Sequence, residues 1–416
     1  MTPYTSFLYF SILAYLSIPT IIIGLIGKKR LSQAWLIIAM VIMLLIQYLV
    51  PQKFLGKTTV EGFWLVIAYA VFQWAVAYGL LLLHKSGKDK KILQTGFYVA
   101  LACALVPLIS VKAAPVFQAV SLIAFIGISY VTFRVIDVII NIHDGLIAEL
   151  PFVYFTSFVL FFPTISSGPI DRYSRFSQDF SRRRTRREFI NDLNAAIYRI
   201  FKGFFYEFIL AALIKTYWLD PAGYVHGLSG IISYMYAYSF YLFFDFAGYS
   251  AFAIGVSYIF GIHTPENFNW AFFSRNIKDF WNRWHISLSF WFRDHIYSRF
   301  VFSAMKNKWL KNKYTISYFG YLITFGLMGF WHGFTWYFVT YGFYMAALLI
   351  CYDLFARFHR RNENQSVFRK RLNHALAIFL TFNVVCFGFL IFSGRLDPSF
   401  TPTQAPISLS SARAAK

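Results

Sequence analysis

Two histidines stand where side chains able to move a proton are scarce. His332 lies in GLMGFWHGFTWYF (326–338), within a stretch from 314 to 352 that has no Asp, Glu, Lys or Arg. His285 lies in RNIKDFWNRWHISLSFWFRDHIYSRF (275–300). An imidazole takes up and returns a proton near neutral pH, and burial disfavours its charged form, which keeps it available as a base. In a partly dry pocket such a base activates a hydroxyl for attack. On spacing alone His332 admits two readings equally, a general base or a buried polar group satisfied by its neighbours. A lone histidine at His285, in aromatic surroundings, is ordinary.

Composition places both residues in a membrane protein. Of 416 residues 58% are hydrophobic and 14% charged, with 50 phenylalanines, whereas a soluble domain carries about 25% charged residues. Apolar runs of roughly twenty residues, long enough to cross about 30 Å of hydrocarbon, recur between short basic clusters. The formal charge of +21 comes from those clusters. They sit between apolar runs, as cytoplasmic loops do, and form no nucleic-acid-binding motif. Cys103, Cys351 and Cys386 lie inside apolar runs without paired spacing, so they read as small core residues, with neither a disulfide framework nor a zinc site. No metal and no cofactor bound by the chain itself is expected, and no internal repeat is visible.

Sorting the loops by Lys and Arg content gives a topology. Spans are expected near residues 6–27, 33–50, 62–84, 92–110, 116–140, 190–218, 230–260, 315–333, 336–353 and 375–393. The first run has Lys28, Lys29 and Arg30 after it and no basic residue before it, the reverse of a secretory signal, so it should remain with the N-terminus outside. Basic loops at 28–30, 85–91, 306–313 and 357–371 go inside, and the poorly charged loops 52–61 and 111–115 go outside. The densest cluster, DRYSRFSQDFSRRRTRRE (171–188), must also be inside. The apolar segment before it, 151–170, then begins and ends on one side, and Pro163, Gly168 and Pro169 interrupt it. It reads as re-entrant, because irregular backbone survives at membrane depth only where protein or a polar cavity satisfies it.

The expected fold class is therefore all-α, a polytopic membrane protein of about ten transmembrane helices. It adds the re-entrant segment and an amphipathic helix at the cytoplasmic interface, and both termini lie outside the cell. Residues 1–397 form the membrane domain, and 398–416, rich in Ser, Pro and Ala, are expected to be disordered.

Ionisable groups inside spans are costly and point to function by default. Arg134 and Asp137, three apart in ISYVTFRVIDVII, share a helix face and are expected to pair. Asp245 sits in YLFFDFAGYS, where Gly248 is placed to break or thin the helix. FPTISSGPIDR, with Ser166 and Ser167, suits a pore lining and a surface turn equally. In 275–300, Ile277, Trp281, Trp284, Leu288 and Trp291 recur at helical spacing with Lys278, Asp279, Arg283 and Asp294 off the stripe, the pattern of the interfacial helix.

FWNRWHISLSFWFRD and MGFWHGFTWYF, followed by YGFYMAALL, together resemble the motifs of the membrane-bound O-acyltransferase family. TFRVIDVIINIHDG, PTISSGPIDRYSRF and YLFFDFAGYSAFAIGVSYIFGI are similar to the branch that D-alanylates teichoic acids. The likeness covers nearly the whole chain, and only the tail after Asp397 departs from it, being longer and more polar. The resemblance implies an acyltransferase in which His332 is the catalytic base. His285 would be a second functional position that orients the donor or assists its leaving thiolate. Asp245, Ser166, Ser167, Trp331 and Asn282 are the candidates along the substrate path.

The resemblance also implies a D-alanyl donor, held as a thioester on the 4'-phosphopantetheine of a small acidic carrier protein in the cytoplasm, and a lipoteichoic acid acceptor outside. It leaves room for relay through a small membrane accessory protein. The carrier is expected to dock at 295–313, where Arg299, Val301, Phe302, Met305 and Lys306 set apolar side chains among cations. Two other readings stay open: a family member that acetylates an exported polysaccharide, and a transporter or channel lined by Arg134, Asp137, Asp245 and His332. The lack of a repeat counts against the second.

Overall fold

In the computed structural model the described residues are 4, 7–27, 29–49, 59–114, 117, 124–358 and 366–401. The two chain ends, Lys28, most of the 52–61 loop and part of the 357–371 loop, whose sidedness the charge pattern assigns, lie outside them, as do residues 402–416 of the tail. All regular secondary structure among the described residues is helical. The chain divides into two units, residues 1–202 with 249–266, and residues 203–248 with 267–416.

The first unit holds α1 (Phe7–Ile26), α2 (Lys29–Leu49), α3 (Thr59–Lys85), α4 (Lys90–Ala113), α5 (Ile128–His143), α6 (Phe152–Val159), α7 (Tyr173–Ser181) and nearly all of α8 (Arg186–Phe204). In the second unit, π-helical turns at Phe205–Ala211 and Lys215–Leu219 lead to α9 (Gly227–Ile259), whose end from Tyr249 onward belongs to the first unit. There follow α10 (Ile277–Trp281), α11 (Ile286–Phe292), α12 (Ser298–Lys306), α13 (Lys313–His332), α14 (Trp336–Phe358) and α15 (Val367–Phe392). Phe400 packs on Tyr234, so the packed chain runs past the expected boundary at 397. The three cysteines are free, and Cys351 is exposed rather than in the core.

Seven helices among the described residues, α1 to α4, α9, α14 and α15, are long and apolar enough to cross a bilayer. The chain is a multi-pass membrane protein, and three of the expected spans are not among these seven helices. Within the 116–140 span the described residues form a helix from Ile128, after Gly127 at φ +89°, where a Cβ would lie 2.3 Å from the Ile165 carbonyl oxygen. The 190–218 span is α8 followed by the π-helical turns. The 315–333 span is α13, whose apolar character is diluted by glycines and hydroxyl side chains.

Arg134 does not bond Asp137. Arg134 is fully buried and donates from Nη1 to the carbonyls of Phe158 (2.9 Å) and Val159 (3.1 Å), and from Nη2 to the Thr164 carbonyl (2.6 Å) and hydroxyl. Asp137 accepts from Arg172 Nη1 at 2.9 Å and from the Tyr173 backbone at 3.1 Å. The reason lies in the 151–170 segment. Its helix α6 has 8 residues, about 12 Å at 1.5 Å per residue, and its end leaves carbonyls without helical partners. The guanidinium fork of Arg134 satisfies them, which lets a short helix and a 3-10 turn (Phe162–Thr164) persist away from water.

The loop after α9 carries a second ionic cluster. His263 Nε2 lies 2.8 Å from Asp192 Oδ1 and its Nδ1 lies 3.6 Å from Asp179 Oδ1, while its backbone N–H donates to Asp179 Oδ2 at 2.8 Å. Arg184 donates to the other Asp192 oxygen at 3.1 Å, and Tyr258 meets the imidazole edge-on. Hydrogen bonds to Asp179 and Asp192 push the His263 pKa up from 6.5 to about 9. A raised folded-state pKa stabilises fully below the unfolded value and is lost as pH rises through the folded one. The thermal midpoint in detergent is therefore expected to fall between pH 7 and pH 10 by more in the wild type than in His263→Gln. Equal falls would remove His263 from the account.

Candidate active site

The stretch that reads as one amphipathic helix is broken where His285 sits. α10 ends at Trp281, residues 282–285 turn, and α11, a π-helical turn (Arg293–Tyr297) and α12 carry on. Asn276 caps α10 by accepting from the Asp279 backbone at 2.9 Å. Asp279 in turn accepts from Arg283 Nε at 2.7 Å. His285 has φ +42° and ψ +51°, a left-handed conformation that costs a non-glycine residue about 1–3 kcal/mol. The buried Asn267 holds the turn in place. Its carbonyl accepts from Ile286 N at 3.0 Å and its Oδ1 from Ser287 Oγ at 2.6 Å. One residue pair further, Asn269 N donates to the Arg283 carbonyl at 2.9 Å. The stripe Ile277, Trp281, Trp284, Leu288 and Trp291 is buried in protein, each residue 7% exposed or less, and does not lie open on an interface.

α13 delivers His332 as its last residue, and Gly333 follows in extended backbone. Small residues let α13 and α14 meet backbone to backbone. A Cβ at Gly342 would lie 2.3 Å from the Phe325 carbonyl oxygen, and one at Gly329 would lie 2.6 Å from that of Phe338. Asp353 on α14 ties this pair to α10, through Lys278 at 2.5 Å and the Tyr321 hydroxyl at 3.1 Å. The His332 ring lies 4.4 Å from Trp331 and edge-on to Phe392 at 4.8 Å. The His285 ring stands edge-on to Phe246 at 4.6 Å.

Both imidazoles line one cavity, walled by Phe246, Trp281, Trp284, Tyr341, Phe389 and Phe392 among others. No Asp, Glu, Lys or Arg among the described residues lines it. Two buried atoms of its lining residues, His285 Nε2 and Trp281 Nε1, have no hydrogen-bond partner among the described residues. The arrangement places two groups able to exchange protons in an uncharged space, where each polar interaction is stronger than in water.

The other residues singled out from the sequence lie elsewhere. Trp331 is half-buried beside His332 without lining the cavity, and Asn282 is exposed at the end of α10. Asp245 shares a hydrogen bond with Tyr241 and sits near Glu207. Gly248 does not break α9, which runs unbroken past it. It brings the helix against the Glu207 backbone, where a Cβ would lie 2.9 Å from the nitrogen. Ser166 and Ser167 belong to the first unit, and Ser166 Oγ shares a 2.8 Å hydrogen bond with the Tyr249 hydroxyl. On α12, Phe302 (69%) and Met305 (50%) are exposed with Lys306, and Arg299 is half-buried. Val301 is half-buried, its Cγ2 3.1 Å from where a Cβ of Gly320 would be. Sequence reasoning missed Asn267, whose partners are twenty residues away, and Glu207, which an acidic residue in the apolar run FFYEFILAALI could have flagged.

Residues 91–392 match the sequence profile of the membrane-bound O-acyltransferase family, and the chain belongs to that family. It is accordingly a membrane-bound acyltransferase. It is 42% identical over 405 residues to the teichoic acid D-alanyltransferase of Bacillus subtilis (strain 168), covering 95% of this chain and 98% of that protein. To the teichoic acid D-alanyltransferase of Streptococcus thermophilus it is 39% identical over 415 residues, covering 95% and 96%. A more distant likeness, 31% over 251 residues, is to the peptidoglycan O-acetyltransferase of Helicobacter pylori, with 59% of this chain and 44% of that protein covered.

If the contact of α13 with α14 sets the position of His332, a methyl group at Gly342 must push the helices apart. Gly342→Ala is expected to cost about 1–3 kcal/mol of stability by overpacking. It should also lower acyl transfer, whereas Gly79→Ala, at a site with nothing within 4 Å, should do neither. Thermal unfolding and turnover measured on the same preparations check this.

Proposed function

We propose that this acyltransferase moves D-alanine from a thioester on the 4'-phosphopantetheine of a carrier protein to hydroxyls of lipoteichoic acid. The supporting observation is the cavity that holds His332 and His285 together, in a chain 42% identical to a teichoic acid D-alanyltransferase. The acceptor hydroxyl oxygen attacks the thioester carbonyl carbon while His332 takes its proton. The C–S bond then breaks, and the departing sulfur receives that proton and leaves as a thiol. His285 orients the donor or steadies the leaving sulfur. Neither Cys nor Ser lines the cavity among the described residues, which favours direct attack by the hydroxyl.

His332→Ala should lower transfer about 10²- to 10⁴-fold, the usual worth of a positioned base, without loss of membrane insertion or carrier binding. The ester released from the acceptor by mild alkali should be D-alanine. Acetate there would instead support the second reading, a kinship in activity with the O-acetyltransferase relative.

The carrier docks on α12. Phe302 and Met305, with Trp309 (57% exposed) just beyond, form an apolar anchor beside Lys306, Lys308, Lys311 and Lys313. Such a surface fits an acidic helical partner, with apolar contacts setting the lifetime and charge speeding encounter. Val301, half-buried beside Gly320, borders this anchor. Phe302→Asp is expected to weaken carrier binding at least tenfold with an unchanged thermal midpoint, while Lys311→Ala slows association and reduces its salt dependence. Unchanged affinity of Phe302→Asp, by titration in detergent, would move the docking site elsewhere.

A further inference from the structure

We infer that the indole N–H of Trp281 is the donor that holds the carbonyl oxygen of the acyl thioester during transfer. The inference rests on the acyl-transfer reading above and assigns a residue that reading leaves idle. Trp281 is 93% buried, being 7% exposed, and its side chain lines the cavity that contains His285 and His332. Edge contacts with Phe325 at 4.9 Å and Phe280 at 5.5 Å hold its ring. Its Nε1 is buried and meets no acceptor among the described residues. A buried indole N–H normally finds a partner, and each orphaned one calls for an explanation.

The chemistry of the missing partner follows from the donor. An indole N–H donates and cannot accept, so whatever completes it brings a lone pair. Tyr341 and the two imidazoles share the cavity, yet none of them bonds this atom. Transfer brings in three candidates: the thioester sulfur, the attacking hydroxyl oxygen and the carbonyl oxygen. Sulfur is a weak acceptor. The hydroxyl oxygen gives up electron density as its lone pair forms the new C–O bond. The carbonyl oxygen alone gains charge, because the π pair of C=O moves onto it. When the tetrahedral intermediate collapses, that pair reforms C=O and the C–S pair departs with sulfur, which takes the proton held by His332. A donor on the carbonyl oxygen is thus bound more tightly in the transition state than in the ground state, which is the condition for accelerating the step.

The test uses the full-length protein in liposomes, with the carrier protein loaded with D-alanine and lipoteichoic acid as acceptor. Trp281→Phe keeps an aromatic ring and removes the N–H. It should lower kcat about 10²-fold or more, as loss of one oxyanion donor does, with carrier affinity, acceptor KM and thermal midpoint close to wild type. Benzothienylalanine at position 281, which keeps the bicyclic shape without an N–H, should reproduce the loss and so separates it from a packing defect. A kcat near wild type in either variant overturns the inference. So does a raised acceptor KM at unchanged kcat, which would put the N–H on the hydroxyl. His332→Ala marks the parent reading separately: full transfer by that variant, or no D-alanyl ester from the wild type, sinks the reading and this inference with it. Loss in His332→Ala with retention in Trp281→Phe sinks the inference alone.

Discussion

Peptide groups freed from helices and shut off from water must be satisfied from within the protein, and both units are built around places where one residue does this. In the first unit Arg134 takes up the carbonyls that α6 and the following turn leave over. In the second, Asn267 takes up the N–H of Ile286 and the hydroxyl of Ser287 just past the break at His285. Each lets the chain abandon helical geometry at a chosen point. Without such a partner the broken helix would cost several kcal/mol per unsatisfied group.

The break matters because a continuous helix from 275 to 300 would spread its aromatic residues along one line. Interrupted at 282–285, the chain presents Trp281, Trp284, His285 and Leu288 to a single cavity. α13 supplies the opposite contribution by ending at His332, and its approach to α14 is as close as two backbones allow because Gly329 and Gly342 have no side chain. Hydrophobic burial around the cavity then fixes ring positions. The Asp353 contacts with Lys278 and Tyr321 hold α10, α13 and α14 in register by polar means.

Much of this was legible in the residues alone. The membrane class followed from apolar run length, and the irregular 151–170 segment from its prolines and its flanking charge. The two histidines stood out because ionisable groups are rare in their surroundings. What stayed hidden depended on contacts distant in sequence. The spacing of Arg134 and Asp137 is that of an ion pair, but carbonyls some 24 to 30 residues on compete better for the guanidinium. Periodicity alone could not reveal the break at His285, since the stripe keeps its rhythm through the turn and only Asn267, from another segment, pays for the left-handed residue.

The left-handed backbone at His285 sets stability against activity at one position. Glycine would adopt φ +42° at little steric cost, and asparagine tolerates that region better than most residues. A directed-evolution campaign scored on melting temperature alone would thus be drawn toward replacing this residue, and each gain in heat resistance would be made by discarding an imidazole from the cavity. Heat-hardened variants of this enzyme need to be selected with turnover in the same screen, or position 285 excluded from the library.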